Sequence, residues 1–177
     1  MLKFFSKEVL DSILTSIAVL KISTIISSGS FLIDSKNIIL YGPPGTGKTH
    51  LSIAIGRQLC LKGFKILFIT ACELVQNLIK ASKDLHLSDY CKKLRRYELI
   101  CIDEFGFIPF NRNESDLLFQ FISDRYERAS ILITTNLVFS EWDKIFKDNA
   151  TTSAVVDRLV HHCLIVECKG DSYRTRK

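Results

Sequence analysis

The chain has 177 residues, 47% hydrophobic and 24% charged, with a net charge of +5. That mix suits one domain with a substantial core and argues against disorder, and the mild positive charge permits a polyanionic partner without demanding one. Six cysteines, at 60, 72, 91, 101, 163 and 168, form no C-x-x-C pair, and no signal peptide is apparent, so a reducing, cytoplasmic setting is expected rather than a disulfide-stapled one.

In chain order, the apolar stretch from Ile13 to Ile26 comes first. It carries Lys21 and several hydroxyls, and it falls short of the roughly 20 apolar residues that span a bilayer, so a buried or interface helix is expected and no membrane partner. Short β-rich runs then alternate with longer helical patterns. Strands are expected at Asn37–Tyr41, Lys65–Ile69, Leu99–Asp103, Ser130–Thr134 and Cys163–Glu167. Helices are expected at His50–Leu61, Cys72–Ser82, Ser88–Arg96 (short and irregular), Glu114–Arg128, and in pieces of Ser140–Phe146 and Thr152–Val160. The alternation predicts an α/β fold with a mainly parallel five-stranded sheet, its strands apolar on both faces. The tail Ser172–Lys177 reads as basic and frayed.

Gly42-Pro43-Pro44-Gly45-Thr46-Gly47-Lys48-Thr49 lies between the first strand and a helix that opens at His50. This is the phosphate-loop spacing G-x-x-x-x-G-K-[ST] in its proper strand–loop–helix setting. Glycines let backbone N–H groups close on a phosphate, and the helix N-terminus faces the same anion. Lys48 reaches the β- and γ-phosphates, and Thr49 offers a hydroxyl to magnesium. Leu99-Ile100-Cys101-Ile102-Asp103-Glu104 is a buried strand delivering two acids at its C-terminal end, where ligands bind in such sheets. Asp103 is expected on the magnesium ion and Glu104 on the attacking water. Ile131-Leu132-Ile133-Thr134-Thr135-Asn136 is a parallel case, with Asn136 placed to sense the γ-phosphate or to cap a turn. Arg158, in Asp157-Arg158-Leu159, is a candidate for a charge supplied to a neighbouring subunit's nucleotide, with Arg125 and Arg128 as rivals and a surface ion pair as the plain alternative. The group His161, His162, Cys163 and Cys168 matches no familiar zinc spacing.

Lys80, Lys83, Lys92, Lys93, Arg95 and Arg96 fall between the second and third strands, with Tyr90 and Tyr97 among them. Such a cluster neutralises nucleic-acid phosphates, or is a solvated helical face in which Asp84, Asp89 and Glu98 balance the charge.

Together these motifs resemble the AAA+ ATPases. The stretches GPPGTGKTHLSIAIG, LICIDEFGFIPF, SDRYERASILITTNLVFSEW and DRLVHHCLIVECKGDSYR more narrowly resemble the IstB-type insertion-sequence helper ATPases, relatives of the DnaC-type helicase loaders, from about Asn37 to Arg174. The resemblance implies a three-layer P-loop NTPase sandwich over residues 36–177 without a C-terminal lid domain. It implies ATP and Mg2+ as cofactors. Gly42 to His50 would bind nucleotide, Lys48, Glu104, Asn136 and Arg158 would act in catalysis, and Thr49 and Asp103 would hold the metal. It also implies double-stranded DNA, a transposase of the same element and further copies of the chain as partners, with the basic cluster on a helical insertion that touches DNA. Residues 1–35 match the family pattern poorly and are expected to be a short or divergent helical region. A helicase loader, an assembly-deficient remnant that binds ATP without turnover, and a small-molecule kinase are the competing readings.

Overall fold

The computed structural model describes residues 29–146, 148–170 and 172. The Ile13–Ile26 stretch, nearly all of the 1–35 segment and the tail beyond Ser172 lie outside the described residues.

Five strands form one sheet in the order β2-β3-β4-β1-β5, and every neighbouring pair is parallel. They are β1 Asn37–Tyr41, β2 Ile66–Thr70, β3 Leu99–Phe105, β4 Ser130–Thr135 and β5 Cys163–Glu167. The helices are α1 Ser30–Ile33, α2 Lys48–Cys60, α3 Ala71–Lys83, α4 Leu87–Leu94, α5 Arg112–Arg125, α6 Asp143–Phe146 and α7 Asn149–Val160, with a 3-10 turn at Phe139–Glu141. All five expected strands are present. α4 is a regular helix, more ordered than its sequence suggested. α5 stops at Arg125 rather than Arg128, because Tyr126 leaves the helical basin and Glu127 turns left-handed at φ 57°.

Alternation along the strands sorts the core into two layers. Ile38, Leu40, Leu99, Cys101 and Leu132 face α1 and α2. Ile39, Ile100, Ile102, Ile131 and Ile133 face α3, α5, α6 and α7. Both faces are covered, which is why the strands read as nearly unbroken apolar runs. Helix starts are fixed locally. Thr70 Oγ1 accepts from the Glu73 amide at 3.2 Å, and Asn111 and Glu114 form a reciprocal capping box on α5. Burial pushes the Cys101 and Cys163 thiols up to about 12, so both behave as small core residues. Among the described residues no helix is long and apolar enough to cross a membrane.

Arg125 is 2% exposed. Its guanidinium donates to the carbonyls of Leu94 at 3.1 Å, Tyr97 at 3.0 Å and Ser130 at 2.9 Å. These bonds tie the end of α4 and the start of β4 to α5. Desolvation lowers its pKa to about 10, so it is charged at neutral pH. This arginine is structural and does not reach another subunit. Arg125→Ala removes these buried hydrogen bonds and is expected to lose about 3 kcal/mol or more of stability, read as a fall in urea midpoint.

Candidate functional site

β4 lies between β1 and β3, so the loops leaving these three strands emerge side by side at the C-terminal edge. One row across the sheet is Tyr41–Thr135–Phe105. One residue further on, the phosphate loop begins at Gly42, whose amide donates to Thr135 O at 3.3 Å, and Asn136 leaves β4. The topology thus places Asn136 between the phosphate loop and the acidic end of β3.

The loop is shaped by its glycines. Gly42 has φ 148°, and a side chain there would strike the Cys168 carbonyl; Gly45 has φ 81°, and a side chain there would strike the Ser172 hydroxyl. The segment after β5 therefore backs the loop closely, and only glycine fits against it. Thr46 is buried and donates its hydroxyl to Pro43 O at 2.9 Å. Gly47 caps α2 from the left-handed region. Lys48 is 9% exposed, and its Nζ donates to the Gly42 and Pro43 carbonyls at 2.7 Å each. The cation thus sits across the loop. Burial pushes the Cys168 thiol up, with the Lys48 ammonium opposing it from nearby. Pro43 and Pro44 are exposed, as is His50 in the first turn of α2.

Asp103 is 6% exposed. Its Oδ1 accepts from Thr49 Oγ1 at 3.0 Å and from Thr134 Oγ1. Three elements meet on this one oxygen: α2, β3 and β4. Thr49 hydroxyl and Asp103 carboxylate are hard oxygen donors, which suits a magnesium ion. Among the described residues no group of three or more His, Cys, Asp or Glu side chains is arranged to hold a metal, and His161, His162, Cys163 and Cys168 form no such group.

Glu104 follows Asp103 directly but goes elsewhere. Pairing of β3 with β4 runs to Ile102–Ile133 and resumes at Phe105–Thr135, so β3 carries one extra residue there. Glu104 takes φ 59°, and its amide donates to Thr134 Oγ1 at 3.1 Å. Phe105 then returns to the core, its ring 5.0 Å from Trp142 and 6.1 Å from Phe146. The chain is pinned on both sides, by Asp103 at the hydroxyls and by Phe105 among aromatic rings. Glu104 absorbs the mismatch in a strained conformation, as functional residues often do. Its exposed side chain lines a cleft of about 130 Å³ with Thr70, Cys72, Gln76, Phe107 and Glu114.

Thr134 is the residue that sequence reasoning missed. It holds Asp103 through its hydroxyl proton and Glu104 through its hydroxyl oxygen. The available signal was a second hydroxyl two residues before Asn136, at the end of a strand bound to neighbour the acidic one.

Other predicted residues lie apart. Arg158 is in the last turn of α7, and the adjacent Leu159 carbonyl accepts from Asn37 Nδ2, at the start of β1, at 3.1 Å. Five strand residues rise about 17 Å, so Arg158 is at the opposite edge of the sheet from the phosphate loop. Its guanidinium lies 4.8 Å from the centre of the Phe119 ring and donates to Ala154 O at 2.9 Å. Arg128 is largely exposed and pairs with Asp124 at 3.6 Å. The basic cluster is exposed on α3, α4 and the residues after α4, but it is not uniform. Arg95 makes a two-point bridge to Asp124, its Nε at 2.8 Å, and holds that carboxyl below its ordinary range; Lys92 pairs with Asp89 at 3.1 Å. Among the described residues Lys80, Lys83, Lys93 and Arg96 form no ion pair.

A family model described as IstB-like ATP binding protein matches residues 9–177. The chain belongs to this family. The match reaches further toward the N-terminus than the motifs quoted above. An insertion-sequence ATP-binding protein of Sinorhizobium fredii is 43% identical over 156 residues, covering 88% of this chain and 52% of that protein. An IS21 ATP-binding protein of Pseudomonas aeruginosa is 39% identical over 148 residues, covering 84% of this chain and 56% of that protein. The chain thus spans little more than half the length of these relatives. Among solved structures, the DnaC helicase loader superposes with a TM-score of 0.68 at 17% identity, over 88% of this chain and 92% of that one. The fold of this IstB-family chain is therefore that of an AAA+ core domain, as its sequence led us to expect.

Thr134→Val removes both hydrogen bonds at the acidic strand end. It is expected to cost about 1–3 kcal/mol in chemical unfolding, whereas Thr134→Ser stays near the native value.

Proposed function

We propose that this chain binds ATP and hydrolyses it, acting as a DNA-binding helper of insertion-sequence transposition. The observation that carries the reading is the division of labour at the end of β3: Asp103 turned inward to Thr49, Glu104 turned outward by the bulge. Loop amides and Lys48 would cradle the β- and γ-phosphates. Thr49 and Asp103 would hold Mg2+, which when bound offsets charge on the phosphate oxygens. A water would attack the γ-phosphorus in line, releasing ADP. Glu104 would take its proton, and Asn136 would orient it or the γ-phosphate. Arg158 cannot serve its own loop from the far edge of the sheet. It would act on a neighbouring subunit's nucleotide, which makes turnover depend on assembly.

The relatives named for insertion sequences, at 39–43% identity, support the insertion-sequence part of this reading. The likeness to the helicase loader, at 17%, speaks for fold alone. Double-stranded DNA, a transposase of the same element and further copies of this chain are the proposed partners. For DNA, Lys80, Lys83, Lys93 and Arg96 are the cations available to phosphates; Arg95 is committed to Asp124 and contributes least.

Glu104→Gln separates binding from chemistry. ATP affinity should match the native protein while hydrolysis falls by about 10²-fold or more, measured by phosphate release. Undiminished turnover would remove Glu104 from its role.

A further inference from the structure

The two threonines that end β4 serve different neighbours. Thr134 holds Asp103 and Glu104 through its hydroxyl. Thr135, 3% exposed, is committed to the chain around Asn136. Its Oγ1 accepts from the Leu137 amide at 3.1 Å, and its carbonyl accepts from the Gly42 amide at 3.3 Å. A hydroxyl that accepts from the amide two residues on closes a side-chain turn, in place of an ordinary backbone turn. Asn136 is the residue which that turn spans, and it is exposed. The chain is thus fixed before Asn136 to the start of the phosphate loop, and after it to the Thr135 side chain.

Leu137 is held a second time, by its own side chain. Gly106 has φ 87°, and a Cβ there would lie 3.0 Å from Leu137 Cδ1 and 2.7 Å from Ile145 Cδ1. Leu137 is therefore seated against the bare backbone of Gly106. Gly106 lies in the turn that Glu104 opens, where the Phe107 amide donates to the Glu104 carbonyl at 3.2 Å. The turn presenting Asn136 rests on the turn presenting Glu104. Both carry exposed polar side chains, and neither position is left to a free loop.

We propose that Thr135 and Leu137 are positioning residues for ATP hydrolysis. The Thr135 hydroxyl sets the turn that aims Asn136, and Leu137 on Gly106 holds that turn in register with Glu104. The γ-phosphate contact and the activation of water are thereby set together. The proposal rests on the ATPase reading above, with Asn136 at the γ-phosphate or its water, and adds how Asn136 is held there.

The test measures ATP affinity, and phosphate release at saturating ATP and one protein concentration. It compares the native chain with Thr135→Val, Thr135→Ser, Leu137→Ala, Asn136→Ala and the double variant Thr135→Val/Asn136→Ala. Valine keeps the shape of threonine and removes the accepting oxygen. Thr135→Val should bind ATP as the native chain does and turn over about tenfold more slowly, since a small misplacement of a positioned group costs rate steeply. Thr135→Ser keeps the oxygen and should stay near native turnover. Leu137→Ala leaves β4 whole and should also slow turnover at native ATP affinity. The double variant should be no slower than Asn136→Ala alone, because Thr135 acts through Asn136. Native turnover in Thr135→Val or in Leu137→Ala would overturn the proposal. So would losses that multiply in the double variant, or weakened ATP binding in Thr135→Val, which would assign the hydroxyl to the phosphate loop instead. Native turnover in Asn136→Ala would sink the role given to Asn136, and a native chain without turnover would sink the hydrolysis reading; either takes the proposal with it.

Discussion

One carboxylate oxygen organises the functional edge of this domain. Asp103 Oδ1 accepts hydroxyls from Thr49 and Thr134, so the first turn after the phosphate loop and the ends of β3 and β4 converge on a single buried atom. A buried carboxylate is stable only when donors satisfy it, so these hydroxyls are required by the burial itself. With Asp103 fixed inward and Phe105 fixed among Trp142 and Phe146, the residue between them has one way out. The strain at Glu104 is thus a consequence of two well-satisfied neighbours, and it turns an acid outward into the cleft beside α3 and α5.

Strand order does the rest. Because β4 is inserted between β1 and β3, a polar residue following β4 lies between the phosphate loop and the acids. Asn136 needs no special loop to reach that place. The same order leaves Arg158 beside the start of β1, remote from its own phosphate loop. A domain built this way holds the positioning groups on one edge and a cation on the other. Under the proposed function, one subunit's far edge would meet the next subunit's loop.

Much of this was legible in the sequence because the signals are local and periodic. The five strands are apolar runs bounded by turns, and the phosphate loop is a fixed spacing of glycines, lysine and hydroxyl. Asp103, Glu104 and Asn136 stand out as candidates because they end such runs. What escaped was non-local. Thr134 matters through a neighbour 31 residues away, and nothing in ILITT separates it from Thr135. Arg125 and Arg158 look alike as surface candidates on helices. Only tertiary structure shows that one is buried against backbone carbonyls while the other lies partly buried across Phe119. The basic cluster likewise read as six equal charges until Asp124 claimed Arg95. The β3 bulge was invisible, since an extra residue in a ladder leaves no mark on hydropathy.

The central claim is that Asp103, held by the two threonines, is the metal-side acid of a nucleotide site. ATP affinity measured by titration calorimetry, with magnesium and with chelator, for the native chain and for Asp103→Asn, tests it directly. The account predicts that magnesium tightens ATP binding to the native protein and that Asp103→Asn loses most of that gain while binding ATP in chelator as the native protein does. An equal gain from magnesium in both proteins would contradict it.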